Sequence, residues 1–300
     1  MPVARRLGLA VPARPVLSSR LVSPRAPLLA LLALSGCTSA LSRAPGSYGR
    51  PSSGWLIGAA RLPDRGRTWR VLRDDALGGQ HWGTHRVVSM VEQVAHGACP
   101  SRDAIPLTVG DCSGLRGGQI PHHASHRAGR DVDLLFFARD AVTNAPVLTP
   151  EFVRYDREGN SLLWPVPLRF DAPRNWSLVE SVVQARGVGV MRVFVAAWIE
   201  RLLLTHARSV GRPGWVVQRA ESLMHQPGDA APHDDHFHVR VACTPDERAA
   251  GCVDGGPMWT WLEKDWEKGD SAPADDETIL AAMAPLPEVA PTGSPSRRRR

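Results

Sequence analysis

No stretch of the 300 residues reaches the roughly 18 to 20 consecutive apolar positions that a membrane-spanning helix requires, which excludes an integral membrane bundle. Cysteine is scarce, with five in all, and no pair has the two-to-four-residue spacing of a cysteine metal knuckle. Repeats at solenoid or propeller periods are absent. Acidic residues are missing from the first 36 positions, where Arg5, Arg6, Arg14, Arg20 and Arg25 sit. With Arg297, Arg298, Arg299 and Arg300 these exceed the whole formal charge of +6, so the body between them is slightly acidic. That excludes a polyanion-binding surface, and no nucleic-acid partner is expected. What remains is 43% apolar and 22% charged, a globular composition incompatible with disorder throughout.

The apolar run at 28–34 follows the arginines and leads into Leu34-Ser35-Gly36-Cys37. A basic region, a short apolar region and small residues make up a secretory signal, and the closing cysteine resembles a lipobox. Residues 1–36 are therefore expected as a lipoprotein-type signal peptide, with Cys37 the candidate for lipidation and membrane attachment. The protein is expected in the periplasm. Four cysteines then remain in an oxidising compartment, Cys99, Cys112, Cys243 and Cys252, and local pairing of the first two and the last two is the simplest of the possible connectivities. Each bridge would add roughly 2 to 3 kcal/mol.

All ten tryptophans fall between Trp55 and Trp266. The Ser/Gly/Pro-rich stretch 37–53 reads as a flexible tether, 54–268 as one folded domain, and 269–300 as a disordered tail. Within the domain, Thr84 is placed to cap a helix reaching about Ala95, and Asn175 to cap another carrying Leu178, Val179, Val182 and Val183. Residues 196–207 and a segment ending near Met224 also read as helices, while 131–137, 191–195 and 236–241 read as strands. Strands and helices alternate without a βαβ rhythm. The expected class is α+β, a single domain with a central, mostly antiparallel sheet flanked by helices and the chemistry at the sheet.

Two histidine clusters stand out: His122, His123 and His126, then His233, His236 and His238. Imidazole and carboxylate together suit zinc. In the first cluster His126 enters a turn at Gly129 and is followed by Asp131 and Asp133 on a strand, where both aspartates share a face. In the second, alternation puts His236 and His238 on one face with Phe237 behind them. The pattern leaves open which aspartate would be a ligand. Asp234 and Asp235 read as solvent-facing or imidazole-orienting groups, and Ser125 as a turn or supporting hydroxyl. His81, His85, His96, His206 and His225 read as structural or surface residues.

These residues carry a specific resemblance. Val109-Gly110-Asp111, Arg116-Gly117-Gly118, Ser125-His126 with Gly129 and Asp131-Val132-Asp133, Arg174-Asn175-Trp176, His225-Gln226-Pro227-Gly228-Asp229 and the run from Pro232 to Arg240 resemble the penicillin-insensitive murein endopeptidases over roughly 54–262. The His-x6-Asp and His-x-His spacings alone resemble the wider group of zinc D-Ala-D-Ala peptidases. The resemblance implies zinc held by His126, Asp133 and His238, with His123 also at a metal position. It further implies His233 and His236 as the remaining active-site histidines, with His233 rather than Asp235 moving the proton. The implied substrate is peptidoglycan, cut at the cross-link between D-alanine and meso-diaminopimelate. A secondary metal site that the family can carry has no match here, nor does one family disulfide between distant segments; the Cys243–Cys252 pair does sit where a family bridge does.

Two other outcomes fit the same residues. One is a D,D-carboxypeptidase acting on uncross-linked stem peptides. The other is a catalytically silent, zinc-containing wall-binding lipoprotein, in which His123, His126, Asp133 and His238 would close the ion's coordination.

Overall fold

The computed structural model describes residues 44–72, 80–101, 104–162, 165–228 and 230–267. Contacts divide the chain into Met1–Ser42 and Arg43–Arg300, and all described residues belong to the second unit. The expected signal peptide, the lipidation candidate Cys37 and the expected tail therefore lie outside the described residues.

The largest sheet has six strands in the order β12 (Met224–His225), β11 (Val190–Phe194), β13 (His236–Val241), β7 (Asp131–Leu135), β6 (Leu107–Val109) and β4 (Trp69–Val71). Its three central pairings are antiparallel, while β11 with β12 and β4 with β6 run parallel. Three smaller antiparallel sheets stand apart from it: β1 (Gly46–Tyr48) with β2 (Trp55–Ile57), β3 (Ala60–Arg61) with β5 (Trp82–Gly83), and β8 (Ala138–Asp140) between β9 (Pro146–Val147) and β10 (Leu168–Phe170). The class is mixed α and β, but its strands are divided among four sheets among the described residues.

Strand β7 is buried along its whole length, Asp131 and Asp133 included. One face supplies Val132 and Leu134 to the core, and the other supplies the two aspartates. Helices α1 (His85–Ala98), α2 (Ala172–Gln184), α3 (Ala197–Ser209) and α4 (Gly214–Leu223) pack in succession on the apolar side. Val87, Met90, Val91 and Val94 of α1 and Leu178, Val179, Val182 and Val183 of α2 recur at helical spacing, and all are buried. Two short helices, α5 (Pro245–Ala249) and α6 (Leu262–Glu267), follow β13. None of the helices in the described residues is long and apolar enough to cross a membrane.

Three expectations are corrected. Residues 44–53 are not tether: β1 pairs with β2, Tyr48 is buried, and Gly49 exchanges backbone hydrogen bonds with Gly251 and Val253 (3.0 and 2.9 Å). The composition looked flexible because glycine and proline here make tight turns rather than slack.

Helix α2 is capped by Asp171, whose carboxylate accepts from the Arg174 N–H (3.3 Å), since Pro173 suits the first turn. Asn175 lies inside that turn instead. Its Oδ1 accepts from the Phe137 N–H (2.9 Å), and its Nδ2 donates to the Phe137 and Asp171 carbonyls (2.8 and 3.0 Å).

Only the second expected disulfide is present. Cys243 and Cys252 are bonded, with Cα atoms 6.1 Å apart, whereas Cys99 and Cys112 are free and buried. Cys99 ends α1 beside Ile105, whose carbonyl its thiol approaches at 3.4 Å. Cys112 lies beyond the far end of β6, and an extended strand advancing about 3.3 Å per residue takes it out of bridging range.

Candidate metal centre

Antiparallel pairing of β13 with β7 sets His238 opposite Asp133, Arg240 opposite Asp131 and His236 opposite Leu135. Alternation turns His236, His238, Asp131 and Asp133 to one side, while Phe237 packs edge-on against Phe136 in the core (centroids 4.7 Å apart). The loop between β6 and β7 brings His123 and His126 over the same place. Their rings lie 4.4 Å apart, and that of His126 lies 4.5 Å from His238. Gly129 makes the turn that follows: its φ is +70°, and an added Cβ would lie 2.6 Å from Leu56.

Asp133 is fully buried, and neither carboxylate oxygen has a hydrogen-bond partner. Four imidazole nitrogens surround it: His126 Nε2 and His236 Nε2 each at 3.3 Å, His238 Nδ1 at 3.7 Å and His123 Nδ1 at 3.8 Å. His126 Nε2 is likewise buried without a partner. A buried carboxylate left bare among imidazoles is costly unless a cation completes it. His123, His126 and Asp133 offer atoms within 4.8 Å of one another, as do His233, His236 and His238. The donor set therefore fits a divalent ion that accepts nitrogen and oxygen.

The opposite ring nitrogens are fixed from behind. His126 Nδ1 donates to the Cys112 carbonyl (2.6 Å), His238 Nε2 to Asp131 Oδ1 (2.9 Å), and His123 Nε2 to Asp111 Oδ2 (3.0 Å). Each bond selects the tautomer that turns the free nitrogen towards Asp133. Asp131 is fully engaged: it also accepts from Arg240 Nε (2.5 Å) and from the His126 backbone N–H (3.2 Å). The Ser113 hydroxyl donates to the His126 carbonyl and accepts from the Gly129 N–H (3.0 Å), tying the ends of the histidine turn together. Nothing in the sequence marked Asp111, Cys112, Ser113 and Arg240 as orienting the imidazoles or their supports. Asp111 and Arg240 lay within the quoted motifs, but a backbone carbonyl such as that of Cys112 leaves no trace in residue type.

Charge follows this geometry. Burial alone would raise the Asp133 carboxyl, but His126 and His236 override it and hold it well below the usual range. Burial lowers His236, yet Asp133 and then Asp235, bonded to its Nδ1 at 2.6 Å, push it up to about 10. His238 moves the other way, to about 3, through burial and the neighbouring His126. Burial, followed by the charge of His236, lowers His233. The His233 ring lies 5.1 Å from that of His236 and 5.5 Å from that of His238, and its Nδ1 is 2.8 Å from the Ala231 carbonyl.

Strain collects here. Among the described residues the non-glycine positions with positive φ are His122, His126, His233 and Asn144, the first three at 61°, 64° and 53°. Such backbone persists at a site only when its surroundings over-determine it. His122 does not join the cluster around Asp133, and Asp234 and Asp235 sit behind β13's first residue rather than facing Asp133.

Residues 47–261 match the family model described as penicillin-insensitive murein endopeptidase. The chain is similar to proteins of that name from Salmonella heidelberg (strain SL476) and Salmonella paratyphi C (strain RKS4594), each 27% identical over 233 residues, which is 72% of this chain and 76% of the relative. The Salmonella typhi protein of the same name is 26% identical over the same span. A match running from β1 to the loop before α6 and containing every histidine of the site places this chain in the penicillin-insensitive murein endopeptidase family.

Proposed function

We propose that the protein is a zinc-dependent endopeptidase that hydrolyses D-alanyl–meso-diaminopimelyl cross-links in peptidoglycan. The observation carrying this is Asp133, buried, without hydrogen-bond partners and ringed by four imidazole nitrogens at 3.3 to 3.8 Å. His126 through Nε2, His238 through Nδ1 and the Asp133 carboxylate would hold the ion, with His123 Nδ1 at its edge. Zinc bound there would supply the Lewis acidity that activates water and polarises the scissile carbonyl.

The remaining work belongs to the histidines. His233, kept neutral by burial, is available as the base that takes a proton from water and returns it to the leaving amine. His236, its Nδ1 bonded to Asp235 Oδ1 at 2.6 Å and its Nε2 turned towards Asp133, is the donor for the developing oxyanion. No serine takes part in these steps, which accounts for insensitivity to an antibiotic that acylates serine. A wall substrate and the sequence at 28–37 fit a periplasmic protein anchored through Cys37.

The test is digestion of purified sacculi and of cross-linked muropeptide dimers, with and without chelator. Dimers should fall to monomers, and zinc should restore what the chelator removes. Release of terminal D-alanine alone would identify a D,D-carboxypeptidase instead. Retained zinc with neither product would support the silent wall-binding reading, which the nearness of His123 Nδ1 to Asp133 favours.

A further inference from the structure

The segment before the three-stranded sheet's last strand backs the catalytic end of β13. Tyr155 is buried against Phe136 and Phe170, so its backbone is fixed in the core. Its N–H donates to the Asp234 carbonyl (2.9 Å). The preceding residue, Arg154, grips both oxygens of the same aspartate, Nε to Oδ1 at 2.9 Å and Nη2 to Oδ2 at 2.8 Å. Two steps upstream, Phe152 stands edge-on to the His236 ring, 5.1 Å between centroids. Thus two neighbouring residues place three hydrogen bonds on the one residue that separates His233 from the Asp235–His236 pair.

That residue matters because His233 holds a left-handed backbone, φ 53°, that a β-carbon disfavours. The turn is held on its other side by the Ala196 N–H, which donates to the His233 carbonyl (3.0 Å). Left to itself the turn would relax and carry the imidazole away from the centre.

We propose that Arg154 is a positioning residue for His233 and His236, acting through its two-pronged grip on Asp234. This rests on the endopeptidase reading, in which His233 moves the proton and His236 donates to the oxyanion. The Arg154 side chain is more than half exposed, at 58%, so the pair adds little to global stability. Its effect is local geometry, where a misplacement of about 1 Å can cost up to a hundredfold in rate.

The experiment compares Arg154→Ala, Arg154→Lys, Asp234→Asn and the Ala/Asn double variant with the parent chain. Turnover of muropeptide dimers, zinc content and amide hydrogen exchange are read for each. Arg154→Ala should lower kcat about tenfold with KM within about twofold and zinc content unchanged. Arg154→Lys should recover part of the loss, and the double variant should be no worse than the worse single. Exchange of the Ala196 amide should quicken while the amides of β13 stay protected. An unchanged kcat, a loss confined to KM, loss of zinc or an unaltered Ala196 amide would each overturn the assignment. If the parent chain cleaves no cross-links, the endopeptidase reading fails while the Ala196 amide still decides whether the grip holds the turn.

Discussion

Asp131 joins two residues of the neighbouring strand: one carboxylate oxygen accepts from both His238 Nε2 at 2.9 Å and Arg240 Nε at 2.5 Å. Arg240 and then His238 hold the Asp131 carboxyl ionised against the burial that would raise it. Replacing Asp131 by Asn leaves the shape but weakens the acceptor that orients His238. Metal affinity should fall about ten- to a hundredfold, as for other groups that orient a ligating imidazole. Asp133→Asn should abolish stoichiometric binding. Competition against a chromophoric chelator separates the two outcomes.

His238→Ala should lose zinc and activity together. His233→Ala should keep zinc and lose about two orders of magnitude in kcat, since a general base contributes on that scale. Metal analysis of the purified variants beside muropeptide profiling checks both. Equal turnover of the two variants would remove the distinction between holding the ion and moving the proton.

The chelator-treated protein should be most stable near pH 6.5. His238 titrates at about 3 in the fold against 6.5 unfolded, so the unfolded chain binds more protons between those values and stability falls as the pH drops through them. His236 titrates at about 10 against 6.5, so its contribution is complete below 6.5 and is lost as the pH climbs towards 10. Thermal melts across this range should show two limbs. Replacing His238 should weaken the acid limb, which the lowered His233 shares, and replacing His236 the alkaline one, which the raised His126 shares.

Burial pushes the thiols of Cys99 and Cys112 up, so neither offers thiolate at neutral pH. In a Cys37→Ser chain, a thiol reagent at pH 8 should label almost nothing in the native protein and both cysteines in denaturant. Rapid native labelling would show the core around α1 and β6 to be open.

Asn175→Ala removes three buried hydrogen bonds and leaves the Phe137 N–H without its partner, while the Phe137 carbonyl keeps the Asp171 N–H (3.0 Å). The expected cost is about 2 to 4 kcal/mol, read as a lower denaturation midpoint at constant m-value. Thr84→Ala, which loses a single helix cap on Val87 (3.4 Å), should cost about 1 kcal/mol.

The site was legible where chemistry resides in residue type and period. Alternation put His236 and His238 on one face and Phe237 in the core, and both clusters meet at Asp133 in the structure. Alternation could not separate Asp131 from Asp133, because both share that face. Only strand register shows Arg240 opposite Asp131, engaging it, and leaves Asp133 bare. Arg154 was invisible for a similar reason: its partner lies 80 residues away, and an arginine in a loop has no periodicity. Cys99 and Cys112 misled, whereas Cys243 and Cys252 did not, because spacing says how long a loop is, not whether a strand runs through it. Asn175 misled because Asp171 offers an equally good cap and Pro173 decides between them.

The pairing of β7 with β13 also bears on when the protein becomes competent. His238 and Asp131 are separated by 107 positions, and joining them requires closing the intervening chain before either strand gains its partner. A newly made polypeptide therefore has scattered imidazoles and no pocket, and it gathers them only as the middle of the sheet completes. On the proposed zinc reading, ion capture becomes a marker of finished folding, and a murein endopeptidase stays inert until its sheet has closed.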